Sequence, residues 1–165
     1  MATGLAKRLE DRADARNYQF DEDDASYHFH EFDGQICKID AVCTVDAVSM
    51  TNKMHPAPGG FRSKSQVVDG QYGVAQLGYP IELDDFGPVV HSVSRDGLTV
   101  RNSTVEGHLL HPGYVERTVF ARDGYMYIRT RGEGVGAIGS INNLLSKPMW
   151  NGLVNCRVRY RVNLG

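Results

Sequence analysis

Apolar and polar positions alternate most clearly in the C-terminal half of the chain. Val89-Val90-His91-Ser92-Val93-Ser94 and Leu98-Thr99-Val100-Arg101-Asn102 flank Arg95-Asp96-Gly97, while residues 114–121 and 125–131 flank Arg122-Asp123-Gly124. β-Branched and aromatic residues at period two, closed by Asp-Gly, predict two tight hairpins. Strict alternation over residues 154–162 predicts a last strand with Arg157, Arg159 and Arg161 on one face. Looser alternation predicts a strand or two within residues 36–48. Helical signals are short. Leu5, Leu9 and Ala13 make a thin stripe, and residues 137–145 form a short helical stretch ahead of Pro148. The expected fold class is α+β, an antiparallel β-sheet with hairpins in the C-terminal half and a few short helices.

Asp21-Glu22-Asp23-Asp24 reads as a solvated breaker, and the Pro/Gly-containing run Met54-His55-Pro56-Ala57-Pro58-Gly59-Gly60 as a loop. Charge then divides the chain. Residues 1–50 hold 5 Lys/Arg against 11 Asp/Glu, and residues 91–165 hold 10 against 5, nine of the ten being arginine. We therefore expect an acidic leader or adaptor segment over 1–87, which can equally be part of the same fold, and a basic β-rich module over 88–165. A basic module suits a polyanion, unless the charges mix on the folded surface. The 165-residue length supports an adequate core, and three cysteines do not make a disulfide scaffold. Cys37 and Cys43, six apart, would not pair within one extended strand, and Cys156 reads as a core thiol.

A two-residue loop at Asp123-Gly124 sets the register of the second hairpin. Arg117 then lies across from Thr130 on an otherwise apolar face, and Glu116 faces Arg131 on the other. A lone arginine on a core face needs a partner: a carboxylate, or an anion that enters from outside. In the first hairpin His91 faces Asn102, which reads as a satisfied structural pair. His108 and His111 stand just before Arg117 in a Gly/Pro-bounded segment. A histidine beside an arginine suits phosphodiester chemistry, the one moving protons and the other holding the anion. They also fit as ordinary loop histidines. Arg129-Thr130-Arg131-Gly132-Glu133-Gly134 is glycine-rich but matches no phosphate-loop or dinucleotide fingerprint. His28 and His30 share a strand face, yet no further ligand motif accompanies them, so neither a metal nor another cofactor is expected.

The run His108-Leu109-Leu110-His111-Pro112-Gly113-Tyr114-Val115-Glu116-Arg117, with Asp123-Gly124, Ile128-Arg129-Thr130-Arg131-Gly132-Glu133-Gly134 and Asn142, resembles C-terminal toxin domains of bacterial polymorphic toxin systems. The resemblance covers about residues 88 to 150. It implies a small ribonuclease fold of the barnase, EndoU or colicin type and a metal-independent nuclease, most naturally acting on RNA. His111 and His108 would transfer protons, Arg117 would clamp phosphate and Thr130 would orient it. Arg129, Arg131, Arg157, Arg159, Arg161 and Asn142 would bind substrate. A cognate immunity protein and a secretion-system carrier or chaperone would be partners, with no membrane. Synthesis in the bacterial cytoplasm, without a signal peptide, and delivery into a target cell would follow. A non-enzymatic β-rich binding module of a secretion or phage particle is the alternative. A toxin with nucleotidyl- or ADP-ribosyl-transfer chemistry is the third reading.

Overall fold

A computed structural model describes residues 7, 10, 13–15, 17–56, 66–75, 87–136 and 147–164. The strands are β1 (Tyr27–Lys38), β2 (Tyr72–Ala75), β3 (Gly87–Val93), β4 (Thr99–Thr104), β5 (Gly113–Arg122) and β6 (Tyr125–Val135). Helix α1 spans Val45–Met54 and helix α2 spans Asn155–Leu164, the latter entered through a π-helical turn, Pro148–Val154. All strand pairs are antiparallel, in the order β1-β6-β5-β4-β3-β2. The protein is thus α+β with a six-stranded antiparallel sheet. Residues 27–38, from the acidic part of the chain, pair along the whole of β6.

The β5–β6 register follows from its turn. Asp123 (φ 51°) and Gly124 (φ 79°) both adopt positive φ, as a two-residue turn of this hand requires. Arg117 is thereby placed opposite Thr130, and Glu116 opposite Arg131. The β3–β4 connection is longer, with Ser94 closing on Gly97 and on Thr99, but the same register results, and His91 faces Asn102.

Three expectations are corrected. Residues 154–162 do not form a strand; nearly all of them lie in α2. Val154, Val158 and Val162 recur every four residues and are all buried, whereas Tyr160 is exposed. The segment satisfies period two and period four together, and packing of the valine stripe decides. Arg157, Arg159 and Arg161 consequently do not share one face. Residues 36–48 are likewise not one or two strands. They hold the end of β1, a turn anchored by Asp40, and the start of α1, whose N-cap Thr44 accepts a hydrogen bond from the Ala47 amide. That turn brings Cys37 and Cys43 together as a disulfide, and leaves Cys156 as an exposed thiol. The helical stretch expected at 137–145, and Asn142 with it, lies outside the described residues.

The sheet has two unlike faces. Helices α1 and α2 cover the inner one, where Ile36, Val48, Val119, Met126, Ile128, Val158 and Val162 form the core. On the outer face Ala15 is buried against Val90 and Val105, and the ring of Phe20 lies 6.2 Å from that of Tyr114. Gly34 on β1 is where α2 comes closest: a Cβ there would sit 2.2 Å from Asn155 Nδ2 and 2.3 Å from Asn151 Oδ1. Gly34→Ala should therefore destabilise the protein by about 1–3 kcal/mol, the usual cost of overpacking. Urea unfolding of the variant against the parent measures it.

Candidate functional site

The inner face changes character along the strands. Near the Asp123-Gly124 turn it is apolar and packed. Beyond the Arg117–Thr130 pair it carries His28, His30, His91, Asn102 and the glycines 113, 132 and 134. The absent glycine side chains are used: a Cβ on Gly132 would overlap the His30 ring, and one on Gly134 would lie 3.1 Å from His28 Cε1. Both histidines therefore lie over glycines. His30 stacks on Phe32, and His30, Phe32 and Val115 are only half-buried. This end of the face is not sealed by the core.

Arg117 stands at the border and is fully buried. Its Nε donates to Asn52 Oδ1 of α1 at 2.9 Å and its Nη2 to Asn155 Oδ1 of α2 at 2.7 Å. The guanidinium carbon lies 5.1 Å from the centre of the Trp150 ring. Its partners are two amides and an indole. Among the described residues no carboxylate meets it, and burial pushes it down to about 9, so it is still a cation at neutral pH. Arg117 Nη1, Thr130 Oγ1, Trp150 Nε1 and His55 Nε2 are buried without a hydrogen-bond partner. Each such group in a folded protein calls for an explanation, and these four lie on one side of the sheet. His91 and Asn102 share a 2.7 Å hydrogen bond, and the Asn102 amide also donates to the carbonyl of Pro56.

The residues expected to form a nuclease site are dispersed. His111 is hydrogen-bonded to Thr104 (3.1 Å) and Tyr18 (3.4 Å), and His108 Nδ1 accepts from the Leu110 amide. Both precede β5, whereas Arg117 is four residues into it, about 13 Å further along at the strand rise. Arg129 and Arg131 lie on the outer face. There Asp33 accepts from Arg129 and Arg122, and Arg131 is 3.7 Å from Glu133. With Glu31, Glu116, Thr118 and Phe120 they line an open depression of about 320 Å³. Arg157, Arg159 and Arg161 are on the opposite side of the sheet, and Arg159 donates to the Gln35 carbonyl. The expected substrate residues thus do not make one surface. Sequence reading missed Asn52, Asn155 and Trp150. Arg117 on an apolar face signalled that partners were needed, but their identity depends on helix packing.

Burial pushes His55 and His108 down to about 4, helped for His55 by Arg161, Arg157 and Arg117 and for His108 by His111; His91 is lowered by burial as well. In the unfolded chain each protonates near 6.5. Between about 6.5 and 4 the unfolded state therefore binds more protons, and stability falls as pH drops through that window. Urea midpoints at pH 7 and pH 5 should show the loss, and His55→Gln should make it smaller.

Neither a protein-family model nor a curated protein sequence matches the chain significantly. Solved structures do. The chain is similar to norcoclaurine synthase from Thalictrum flavum (TM-score 0.53, 12% identity, covering 91% of this chain and 95% of that one). It is also similar to a major latex protein family member from Arabidopsis thaliana (TM-score 0.53, 11% identity, 88% and 99%). A third likeness is to the di-domain ARO/CYC StfQ from the steffimycin biosynthetic pathway (TM-score 0.50, 12% identity, 95% of this chain and 53% of that one). These are Bet v1-like, START-like folds, and at such identities they establish the fold alone. They overturn the resemblance to polymorphic toxin domains. With it go the ribonuclease fold, the nuclease activity and the toxin role that the resemblance implied.

Proposed function

We propose that this chain is a binding module for a small organic molecule with an apolar body. The molecule sits against the inner face of the sheet, beyond the packed core and beneath the segments that carry Trp150 and His55. The observation that carries this reading is the set of buried donors left without partners at Arg117, Thr130 and Trp150. Buried polar groups are normally satisfied, and each one left unsatisfied costs about 1–3 kcal/mol. A site that recognises a ligand holds such groups in readiness within otherwise apolar walls. Phe32, Val115 and Trp150 supply those walls. The fold is consistent with this role: two of the similar structures are named for small-molecule chemistry, a norcoclaurine synthase and an ARO/CYC of steffimycin biosynthesis.

Trp150 is the only tryptophan of the chain, so its fluorescence reports on the site directly. Titration with the uncharged fluorophore 1-aminoanthracene should quench Trp150 saturably by energy transfer. Val115→Phe, which fills the half-buried space beside the glycines, should weaken binding about tenfold or more, in line with a loss of about 1.4 kcal/mol or more. Tyr160→Ser, on the exposed side of α2, should leave it unchanged. Failure of the parent protein to bind the probe would remove the reading.

A further inference from the structure

We infer that the ligand of this site is an organic anion, and that its carboxylate is held by Arg117, Thr130 and Trp150; this rests on the binding-module reading above. The strands place every one of their carboxylates on the other side. Glu31, Asp33, Glu116 and Glu133 all belong to the outer face, where they meet Arg122, Arg129, Arg131 and the hydroxyls of Tyr27 and Tyr114. Among the described residues, the inner face holds a buried cation and no acid to balance it. Water can satisfy an N–H group, but it does not neutralise a guanidinium removed from bulk solvent.

The donor chemistry matches a carboxylate. Arg117 Nη1 offers two N–H groups, Trp150 Nε1 one and Thr130 Oγ1 one, against the roughly four lone-pair positions of a carboxylate. Thr130 is the direct cross-strand neighbour of Arg117, and the indole lies against the guanidinium. Asn52 and Asn155 grip the other edge of the guanidinium through Nε and Nη2. That bracket fixes its plane and leaves Nη1 as the available corner. Positive charge continues outward. Arg157 and Arg161 of α2 lie near enough to disfavour a proton on His55, and among the described residues neither forms an ion pair. These cations attract an approaching anion and disfavour an approaching cation.

The test compares 1-naphthoate with 1-naphthalenemethanol, which share a ring system and differ in charge, by Trp150 fluorescence and calorimetry at pH 7. The parent should bind the carboxylate at least tenfold more tightly, and Arg117→Met should abolish that preference. Thr130→Val, a near-isosteric change that removes a hydroxyl without a hydrogen-bond partner, should weaken naphthoate several-fold and leave the alcohol unaffected, so the assignment can be judged even if Arg117→Met does not fold. Equal affinity for acid and alcohol would overturn the anion assignment and leave the binding module standing. No binding of either compound, nor of 1-aminoanthracene, would overturn both. Inorganic phosphate bound as tightly as 1-naphthoate would also overturn it, by assigning the site to a free inorganic ion.

Discussion

Arg117 is buried with its charge intact, and the rest of the architecture is arranged around that fact. Its side chain leaves the middle of the sheet and is received by one asparagine from each helix, Asn52 of α1 and Asn155 of α2. Asn52 also donates to the Arg117 carbonyl, so α1 is tied to both the backbone and the side chain of one residue. The Asn155 amide passes the connection on to Asn151 of the π-helical turn. Amides orient a guanidinium without neutralising it. The helices are therefore fixed against the sheet by a hydrogen-bonded centre that keeps an electrostatic demand of its own.

The sheet separates its charges by face. Outside, the cross-strand partners are acid and base in alternation, with Asp33 serving two arginines and Arg122 and Arg131 lying over aromatic rings. Such exposed pairs contribute little stability each, but they keep this face soluble and internally balanced. Inside, the strand residues are apolar, glycine, amide, hydroxyl or histidine, with a single arginine. Period-two alternation sends each class to its side, and the Asp-Gly turn between β5 and β6 fixes which residues those are. Moving the register by one residue would carry Arg117 into water and Glu116 into the interior.

Much of this sheet was legible in the sequence, because local rules govern it. The turn dipeptide and the alternation gave the Arg117–Thr130 and His91–Asn102 pairings, and a lone arginine on an apolar face marked the place where something more was needed. What surrounds Arg117 was not legible. Asn52 and Asn155 are 65 and 38 residues away, and nothing local distinguishes them from surface amides. α2 was misread because its valines satisfy two periods at once. β1 was legible only in part, because its outward positions mix Glu31 and Asp33 with Tyr27, Phe29 and Gln35 and its inward ones include histidine, phenylalanine and glycine, so it lacks the apolar alternation of a typical half-buried strand. The histidines ahead of β5 drew attention by their number, yet they are spent on Thr104, Tyr18 and the loop backbone.

The asparagine bracket also imposes an order on the growth of the molecule. One half of it is synthesised well before Arg117, and the other half well after. Until Asn155 has emerged and α2 has folded back across Gly34, the guanidinium is held by Asn52 alone. A nascent chain can pair all six strands and still lack the proposed site, which forms only when α2 docks.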